Sequence, residues 1–366
     1  MIYPYTYFDH KIQKFHEGLT HFFDKLFELD LEEYDQDQLL KTPMIEIVGT
    51  SKTRLETPLR EIVRLYHALN AQEKDLIKRS FEENNKIEEL CKGEGEPKKY
   101  TELPNSIREA IEGFWKTLWE GFSGKENINQ HLKVLCGEVL EHFHEFKKQP
   151  DQKTRVCPFC GINGLKPSDD IYRNAYDHYL PKSLYPFTSV NFKNLVPICH
   201  ECNSDEKKAT DTLFKDGDRR IAFYPYDSTI DPAKLSVTIT RNQAYNPSNN
   251  STLMKKNFKY QYDILIDGKG DERIDTWDDI FRVKEKYQRY LADFETEWFE
   301  QLKSDFKESV EDGIAFERFK TKTLNKLSRE LLANEKGIIK RAYYQYLFEM
   351  SGFEEDLKFT AGIRAA

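Results

Sequence analysis

Apolar residues in the first 150 positions recur with the 3.6-residue period of an α-helix. The stripe in segment 11–29 consists of Ile12, Phe15, Leu19, Phe22, Phe23, Leu26 and Phe27, and it predicts a helix with one buried face. A second helix is predicted near residue 57, because Pro58 suits the first turn of a helix. A third is predicted from the capping box Ser106 to Glu109, followed by Ile111, Phe114, Trp115, Leu118 and Trp119. Residues 1–150 are therefore predicted to form a helical region with an aromatic core.

The pattern changes beyond residue 226. In "KLSVTIT" (234–240) and "KNFKYQYDILI" (256–266) apolar and polar residues alternate, which predicts two β-strands. The helical period returns from Trp277, with apolar positions at Ile280, Phe281, Tyr287, Leu291, Phe294, Trp298 and Phe299. One long helix is predicted there, with more helical sequence to about Phe353. Residues 227–366 are thus predicted to contain strands followed by helices, and the fold class is α+β.

The chain of 366 residues is long enough for two or three domains. Apolar residues make up 39% and charged residues 32% of it, which is the composition of an ordinary globular protein. The first residues show no basic end followed by an apolar run, and no window approaches the roughly 18 apolar residues of a membrane span. We therefore expect a cytoplasmic protein without a membrane partner.

The formal net charge of −8 disfavours a surface that binds any nucleic acid through basic charge alone. The middle segment 151–226 differs, because its 11 Lys and Arg residues outnumber its 10 Asp and Glu residues and give a charge of +1. Charges more than about 8 Å apart are largely screened in physiological salt. An acidic chain is therefore compatible with a local nucleic-acid site.

Six cysteines in a reducing compartment are not expected to form disulfides. Cys91 and Cys136 stand alone, and each is interpreted as a small buried apolar residue. The other four form two pairs, Cys157 with Cys160 and Cys199 with Cys202, with 38 residues between the pairs. Two CxxC pairs can place four thiolates around one tetrahedral Zn²⁺ at about 2.3 Å. Because four thiolates leave no open coordination position, this zinc is predicted to be structural.

The insertion between the two pairs carries Asp177 and His178 side by side, and then Asn194 in "NLVPI". Asn203 follows the last cysteine directly. In this order and spacing, residues 157–211 resemble the HNH nucleases, or ββα-metal fold, in the branch that carries two zinc-binding CxxC pairs. The resemblance implies a zinc-stapled HNH module, predicted here as residues 151–226, between the helical region and the C-terminal region.

Phosphodiester hydrolysis requires a deprotonated water and a cation that stabilises the charge developing in the reaction. His178 is suited to accept the proton, since an ordinary imidazole is largely neutral at physiological pH. Asp177 is expected to point to the other face of the strand end and to bind Mg²⁺ or Mn²⁺, with Asn203 as a second oxygen ligand. The resemblance implies these same roles, and it implies that Asn194 braces the loop so that the imidazole faces the phosphate.

Two lysines follow Asn203 closely, and Lys207 or Lys208 is predicted to contact substrate phosphates. The family often carries a lysine three residues after the metal-binding Asn, where this chain has Glu206, so a solvated helix face is the competing interpretation of the two lysines. His200 lies inside a CxxC pair and is predicted to be exposed rather than to bind metal.

The predicted function is metal-dependent endonucleolytic cleavage of DNA. A ribonuclease with the same site is an alternative, because the catalytic set touches phosphate and not the sugar. Another alternative is a non-catalytic zinc module that binds nucleic acid or a protein. The acidic helical region is expected to bind a protein partner or a second copy, as in antiphage or restriction effectors with HNH subunits; that biological role is an expectation from analogy.

Overall fold

The computed structural model describes residues 1–123, 127–150, 152, 155–229, 237–241, 262–268 and 270–363. Helices and three small two-stranded sheets make up the described chain, which confirms the α+β class. Two compact units divide the chain. The helical unit comprises Pro4–Lys153 and Lys166–Ser228, and the C-terminal unit comprises Met1–Tyr3, Thr154–Leu165 and Thr229–Ala366.

The N-terminal part of the helical unit contains nine α-helices among its described residues. They are α1 (Gln13–Leu29), α2 (Gln36–Leu39), α3 (Met44–Thr50), α4 (Thr57–His67), α5 (Ala71–Asn84), α6 (Ile87–Cys91), α7 (Asn105–Ser123), α8 (Asn127–Cys136) and α9 (Val139–Lys148). The predicted stripe of α1 is buried, and only Phe27 of its seven residues is partly exposed. Apolar periodicity therefore identified the buried face of this helix correctly.

Two predicted helix starts had different outcomes. Pro58 lies in the first turn of α4, as expected, where its missing N–H group costs no hydrogen bond. The third predicted helix begins at Asn105, so Ser106 lies inside its first turn and not at the predicted N-cap. The apolar stripe predicted the helix itself correctly, whereas the helix begins two residues earlier than the predicted N-cap implies.

The middle of the chain contributes short elements to the helical unit. They are β1 (Tyr176–His178), β2 (Leu195–Pro197), a π-helical turn (Glu201–Lys207), β3 (Phe214–Lys215) and β4 (Asp218–Arg219), with 3-10 turns at Pro186–Thr188 and Phe192–Asn194. Strands β1 and β2 pair antiparallel, with Asp177 opposite Val196 and His178 opposite Leu195. These two strands and the π-helical turn position the candidate site.

One hydrophobic core joins the middle segment to the N-terminal helices within the helical unit. Tyr176, Phe187, Val190, Phe192 and Leu195 belong to the same buried cluster as the apolar faces of α1, α4 and α7. The compact units therefore differ from the predicted division at residues 150 and 226. Apolar periodicity finds the buried face of each element but does not show which elements share a core.

The C-terminal unit contains the hairpin β5 (Val237–Arg241) and β6 (Tyr262–Ile266) and five α-helices among its described residues. The helices are α10 (Glu272–Phe281), α11 (Val283–Glu311), α12 (Phe316–Glu330), α13 (Gly337–Glu349) and α14 (Phe353–Thr360). Both predicted strands are present and pair antiparallel. The predicted strand positions Phe258 and Tyr260 lie outside the described residues.

The single long helix predicted from Trp277 is wrong, because Arg282 separates α10 from α11. Arg282 adopts a left-handed backbone with φ of 48°, and its N–H donates to the carbonyl oxygen of Asp278 at 2.7 Å. The Asp278 side chain accepts the N–H of Lys284 at 2.8 Å and so caps the new helix.

None of the described helices is long and apolar enough to span a bilayer.

Candidate active site and metal centre

Asp177 and His178 end strand β1, and both line a cleft of about 530 Å³ in the helical unit. Neighbouring residues of a strand point to opposite faces, yet both residues border the cleft at the end of this short strand. Asn203 and Lys208 line the same cleft. The structure therefore brings together four of the residues that sequence reasoning selected.

His178 is held through one nitrogen of its imidazole. Its Nε2 lies 2.9 Å from the carbonyl oxygen of Ser189. Because a carbonyl oxygen only accepts hydrogen bonds, Nε2 carries the proton and Nδ1 is the nitrogen that can accept one. Burial lowers the pKa of His178 to about 3, and the Lys182 ammonium acts in the same direction. Both effects favour the neutral imidazole, which is the form that can accept a proton.

The two carboxylate oxygens of Asp177 have different surroundings. Its Oδ1 lies 3.1 Å from the Lys207 ammonium. Its Oδ2 is buried and accepts no hydrogen bond from the described part of the chain. Burial raises the pKa of Asp177, although Lys207 opposes this effect. Burying a carboxylate oxygen that has no hydrogen-bond donor costs free energy, unless a positively charged group lies against that oxygen.

Lys207 lies behind the cleft, so the structure does not support its predicted contact with substrate phosphate. Its side chain is 0% exposed, and Nζ also donates to the carbonyl oxygen of His178 at 2.8 Å. Lys207 therefore fixes the Asp177 carboxylate and the His178 backbone together. Of the two predicted phosphate contacts, only Lys208 lines the cleft.

Asn194 is fully buried and braces the loop that follows His178. Its Oδ1 accepts the N–H of Leu180 at 2.7 Å, and its Nδ2 donates to the carbonyl oxygen of Leu180 at 3.0 Å. Nδ2 also donates to Thr188 Oγ1 at 2.9 Å. These bonds tie the segment after His178 to the turn that contains its Ser189 partner, in keeping with the predicted bracing role.

Three further residues of the cleft were not selected from the sequence. Trp119 of α7 places its ring centroid 4.3 Å from that of His178, at an interplanar angle of 77°. Arg173 and Lys182 also line the cleft and add positive charge to it. Trp119 was interpreted as part of a core stripe, and the two basic residues had no distinctive spacing.

The first CxxC pair is positioned within the C-terminal unit. The N–H of Gly161 donates to the carbonyl oxygen of Cys157 at 2.8 Å, and the N–H of Ile162 lies 3.5 Å from Cys160 Sγ. Gly161 has φ of 64°, a left-handed conformation that favours glycine. Tyr287 Oη donates to the carbonyl oxygen of Cys160 at 2.8 Å. Both thiols are thus fixed on a tight, buried turn.

The second pair begins at the end of the segment that follows β2, within the helical unit. The N–H of Ile198 donates to the carbonyl oxygen of Ala175 at 3.2 Å, and the N–H of Asn203 donates to that of Cys199 at 3.1 Å. Cys199 and Cys202 are buried. The His200 side chain between them is 83% exposed, which confirms the prediction of an exposed histidine.

The sulfur atoms of Cys157, Cys160, Cys199 and Cys202 all lie within 4.8 Å of one another. Tetrahedral zinc with bonds of about 2.3 Å requires sulfur atoms about 3.8 Å apart, which lies inside this limit. No disulfide joins any of the six cysteines. The four-cysteine cluster can therefore hold a metal ion such as zinc, whereas Cys91 and Cys136 are simply buried.

A second group of metal-ligand residue types lies near α9 and consists of His10, Glu141 and Glu145. Here Nδ1 of His10 accepts the N–H of Ile12 at 3.1 Å, so Nε2 of the neutral ring carries the proton and faces Glu145 at 3.6 Å. The ammonium of Lys11 already pairs with Glu141 at 2.8 Å. These residues therefore form a polar cluster in which neither nitrogen of the His10 ring is available to bind a metal ion.

Comparison with protein-family models, with curated proteins and with solved structures finds no match to this chain. The residues of the cleft and of the four-cysteine cluster therefore carry the functional interpretation by themselves.

Proposed function

We propose that this chain is a metal-dependent endonuclease of the HNH type that hydrolyses phosphodiester bonds of DNA. One observation carries the proposal. The buried carboxylate of Asp177, one oxygen of which accepts no hydrogen bond from the described residues, lies next to the imidazole of His178 in one cleft with Asn203. These are the groups that metal-assisted hydrolysis requires. The strand–strand–helical order of β1, β2 and the π-helical turn supports the same proposal.

The residues of the cleft fit a hard divalent cation. Asp177 offers Oδ2, which accepts no hydrogen bond from the described residues, and Asn203 offers an amide oxygen on the same cleft. Mg²⁺ is commonly held by one or two protein oxygens together with waters and substrate phosphate. Bound there, Mg²⁺ or Mn²⁺ would stabilise the negative charge that develops on the phosphate and the leaving oxygen.

His178 acts as the general base in the proposed reaction. Its Nδ1 takes a proton from a water molecule while the water oxygen forms a bond to phosphorus. The bond from phosphorus to the leaving oxygen breaks, and that oxygen takes a proton from solvent water. The Ser189 carbonyl holds the Nε2–H tautomer, which keeps Nδ1 available. Such a base is typically worth about 10²–10⁴ in rate.

Positive side chains around the cleft suit a phosphodiester substrate. Lys208, Arg173 and Lys182 line it, although the whole chain has a net charge of −8. Local positive charge raises the concentration of phosphate groups near the site. Lys207 has a different role in the proposal, since its buried ammonium orients the Asp177 carboxylate from behind, as partners of metal ligands commonly do.

The four-cysteine cluster is proposed to bind structural zinc. Four thiolates satisfy a tetrahedral ion completely, so no position remains for water or substrate. Zinc there stabilises the folded chain and takes no part in hydrolysis.

The experiment that tests the proposal incubates the purified full chain with supercoiled plasmid and, separately, with total RNA. Each reaction contains Mg²⁺, Mn²⁺ or EDTA at unchanged bound zinc. We expect nicked and linear plasmid with either divalent cation and intact plasmid with EDTA. Cleavage of RNA alone would establish the ribonuclease alternative. Intact substrate under all conditions would support the non-catalytic alternative, in which Asp177 and Lys207 form only a buried ion pair.

A further inference from the structure

Helix α7 reaches the candidate base from the N-terminal part of the helical unit. The Trp119 ring meets the His178 imidazole edge to face, with ring centroids 4.3 Å apart and an interplanar angle of 77°. Edge-to-face contact is a favoured geometry for aromatic pairs because it brings the positive edge of one ring to the negative face of the other. One side of the imidazole is therefore packed against a residue outside the predicted nuclease segment.

The hydrogen-bond partner of His178 is supported by the same helix. Ser189, whose carbonyl accepts the imidazole Nε2–H, donates its Oγ to the carbonyl oxygen of Trp115 at 3.4 Å. Phe187, two residues earlier, packs edge to face on the Trp115 ring at 5.9 Å. Residues 115 and 119 lie one turn apart on one face of α7. One turn of α7 thus supports the imidazole in two ways. It provides the Trp119 ring, and it holds Ser189, whose carbonyl oxygen accepts the imidazole N–H.

Lys182 restricts what else Trp119 can do. Its Nζ lies 5.6 Å from the centroid of the Trp119 ring, and both residues line the cleft with His178. A face covered by an ammonium group is not available for stacking on a base. The Trp119 ring thus contacts both Lys182 and His178.

We propose that Trp119 is a positioning residue for His178. This inference rests on the proposed nuclease function and deepens it, because it makes α7 part of the active centre. With Nε2 fixed by the Ser189 carbonyl, the Trp119 ring limits rotation of the imidazole and keeps Nδ1 directed toward the cleft. The segment 151–226 alone would then lack the aromatic ring that packs against the His178 imidazole. The helical region would contribute to catalysis as well as to the proposed partner binding.

Two variants of the full chain test this role, with a matched control on the same helix. Trp119→Leu removes the aromatic ring, and Trp119→Phe keeps a smaller one. Ile107→Ala is the control, because it removes a buried apolar side chain from the first turn of α7, more than three turns away from Trp119. Each protein is labelled with 13C and 15N in histidine, and the ring resonances of His178 are assigned by their loss in His178→Ala.

The positioning role predicts specific changes in both spectrum and kinetics. In the parent protein the nitrogen shifts should report the Nε2–H tautomer. Trp119→Leu should shift the His178 ring protons toward solvent-exposed values and populate both tautomers, whereas Ile107→Ala should leave the His178 resonances in place. Single-turnover cleavage should fall about 10²-fold in Trp119→Leu with KM nearly unchanged, since misplacement of a reacting group by about 1 Å has this effect. Trp119→Phe should restore most of the rate.

The two possible failures can be told apart. Unchanged His178 resonances in folded Trp119→Leu would overturn the inference, whatever the protein cleaves. Equal loss of rate in Ile107→Ala and Trp119→Leu would also overturn it, because a general loss of stability would then explain both. A parent protein that cleaves neither DNA nor RNA would refute the proposed function and with it the catalytic purpose of the contact.

Discussion

Replacing Lys207 by methionine removes the positive partner of the most deeply buried ion pair of the candidate site. The Nζ atom lies 3.1 Å from Asp177 Oδ1, and the two side chains are 0% and 3% exposed. Nζ also donates to the carbonyl oxygen of His178 at 2.8 Å. Methionine has nearly the same length and fills the space without a charge. The variant therefore isolates the electrostatic part of the contact.

The expected loss of unfolding free energy follows from these contacts. Both hydrogen bonds come from a charged ammonium, and each contributes about 1.5–3 kcal/mol. Their sum of about 3–6 kcal/mol spans the roughly 3–5 kcal/mol lost when one partner of a buried pair is removed. Because burial already raises the pKa of Asp177, loss of Lys207 raises it further. A protonated Asp177 does not bind the catalytic cation.

Urea unfolding at pH 7, followed by tryptophan fluorescence with zinc bound, measures this loss. Lys207→Met should lose about 3 kcal/mol in the Asp177 background and clearly less in the Asp177→Asn background, since the amide needs no counter-charge. Lys208→Met is the matched control. Because Lys208 is exposed, the unfolding free energy of this variant should differ from that of the parent by less than about 0.5 kcal/mol. A loss below about 1 kcal/mol, equal in both Asp177 backgrounds, would refute this account of the pair.

Three other predictions concern zinc, the catalytic cation and pH. Purified protein should contain one zinc per chain, and Cys199→Ser should lower that content and aggregate, whereas Cys136→Ser should keep its zinc by metal analysis. Asn203→Ala should retain its fold and zinc but require more Mn²⁺ for half-maximal cleavage, because one oxygen ligand is lost. Burial lowers the pKa of His16 to about 4, below the roughly 6.5 of an unfolded histidine. As the pH falls, the unfolded chain therefore binds a proton at His16 before the folded chain does. The contribution of His16 to the unfolding free energy is largest above pH 6.5 and decreases as the pH falls toward 4. The unfolding free energy of the parent relative to His16→Leu should be lower at pH 5 than at pH 7 by about 2 kcal/mol.

Each of these predictions has an outcome that contradicts it. Soluble Cys199→Ser with a full complement of zinc would remove the four-cysteine site. Asn203→Ala with the parental Mn²⁺ requirement would exclude the amide as a ligand. An equal stability difference between the parent and His16→Leu at both pH values would show that His16 is not held neutral by burial.

Local patterns in the sequence predicted most of the helices and the four-cysteine cluster. The 3.6-residue period found α1 because burial of one face is a property of neighbouring residues alone. The spacing of Cys157, Cys160, Cys199 and Cys202 likewise predicted a cluster, because short turns bring each pair together. Asp177, His178 and Asn203 were selected by their order, and they line one cleft.

Features that depend on distant contacts were not predictable in this way. Lys207 stands in the charged run "SDEKK" and was predicted either to contact substrate phosphate or to be solvated, yet it is buried against Asp177, 30 residues earlier. Trp119 belongs to an apolar stripe, but periodicity does not show which part of a stripe borders a cleft. Arg282 ends a helix without glycine or proline, because the Asp278 side chain caps the next helix.

Single-turnover cleavage of plasmid DNA by His178→Ala is the most direct test of the proposed nuclease. The variant and the parent are compared at saturating Mg²⁺, with zinc content and unfolding free energy measured on the same preparations. We expect cleavage by the parent and a rate about 10²–10⁴ lower in His178→Ala, with substrate binding and bound zinc preserved. Cleavage by His178→Ala at the parental rate would contradict the account, because the residue beside Asp177 would then take no part in the chemistry.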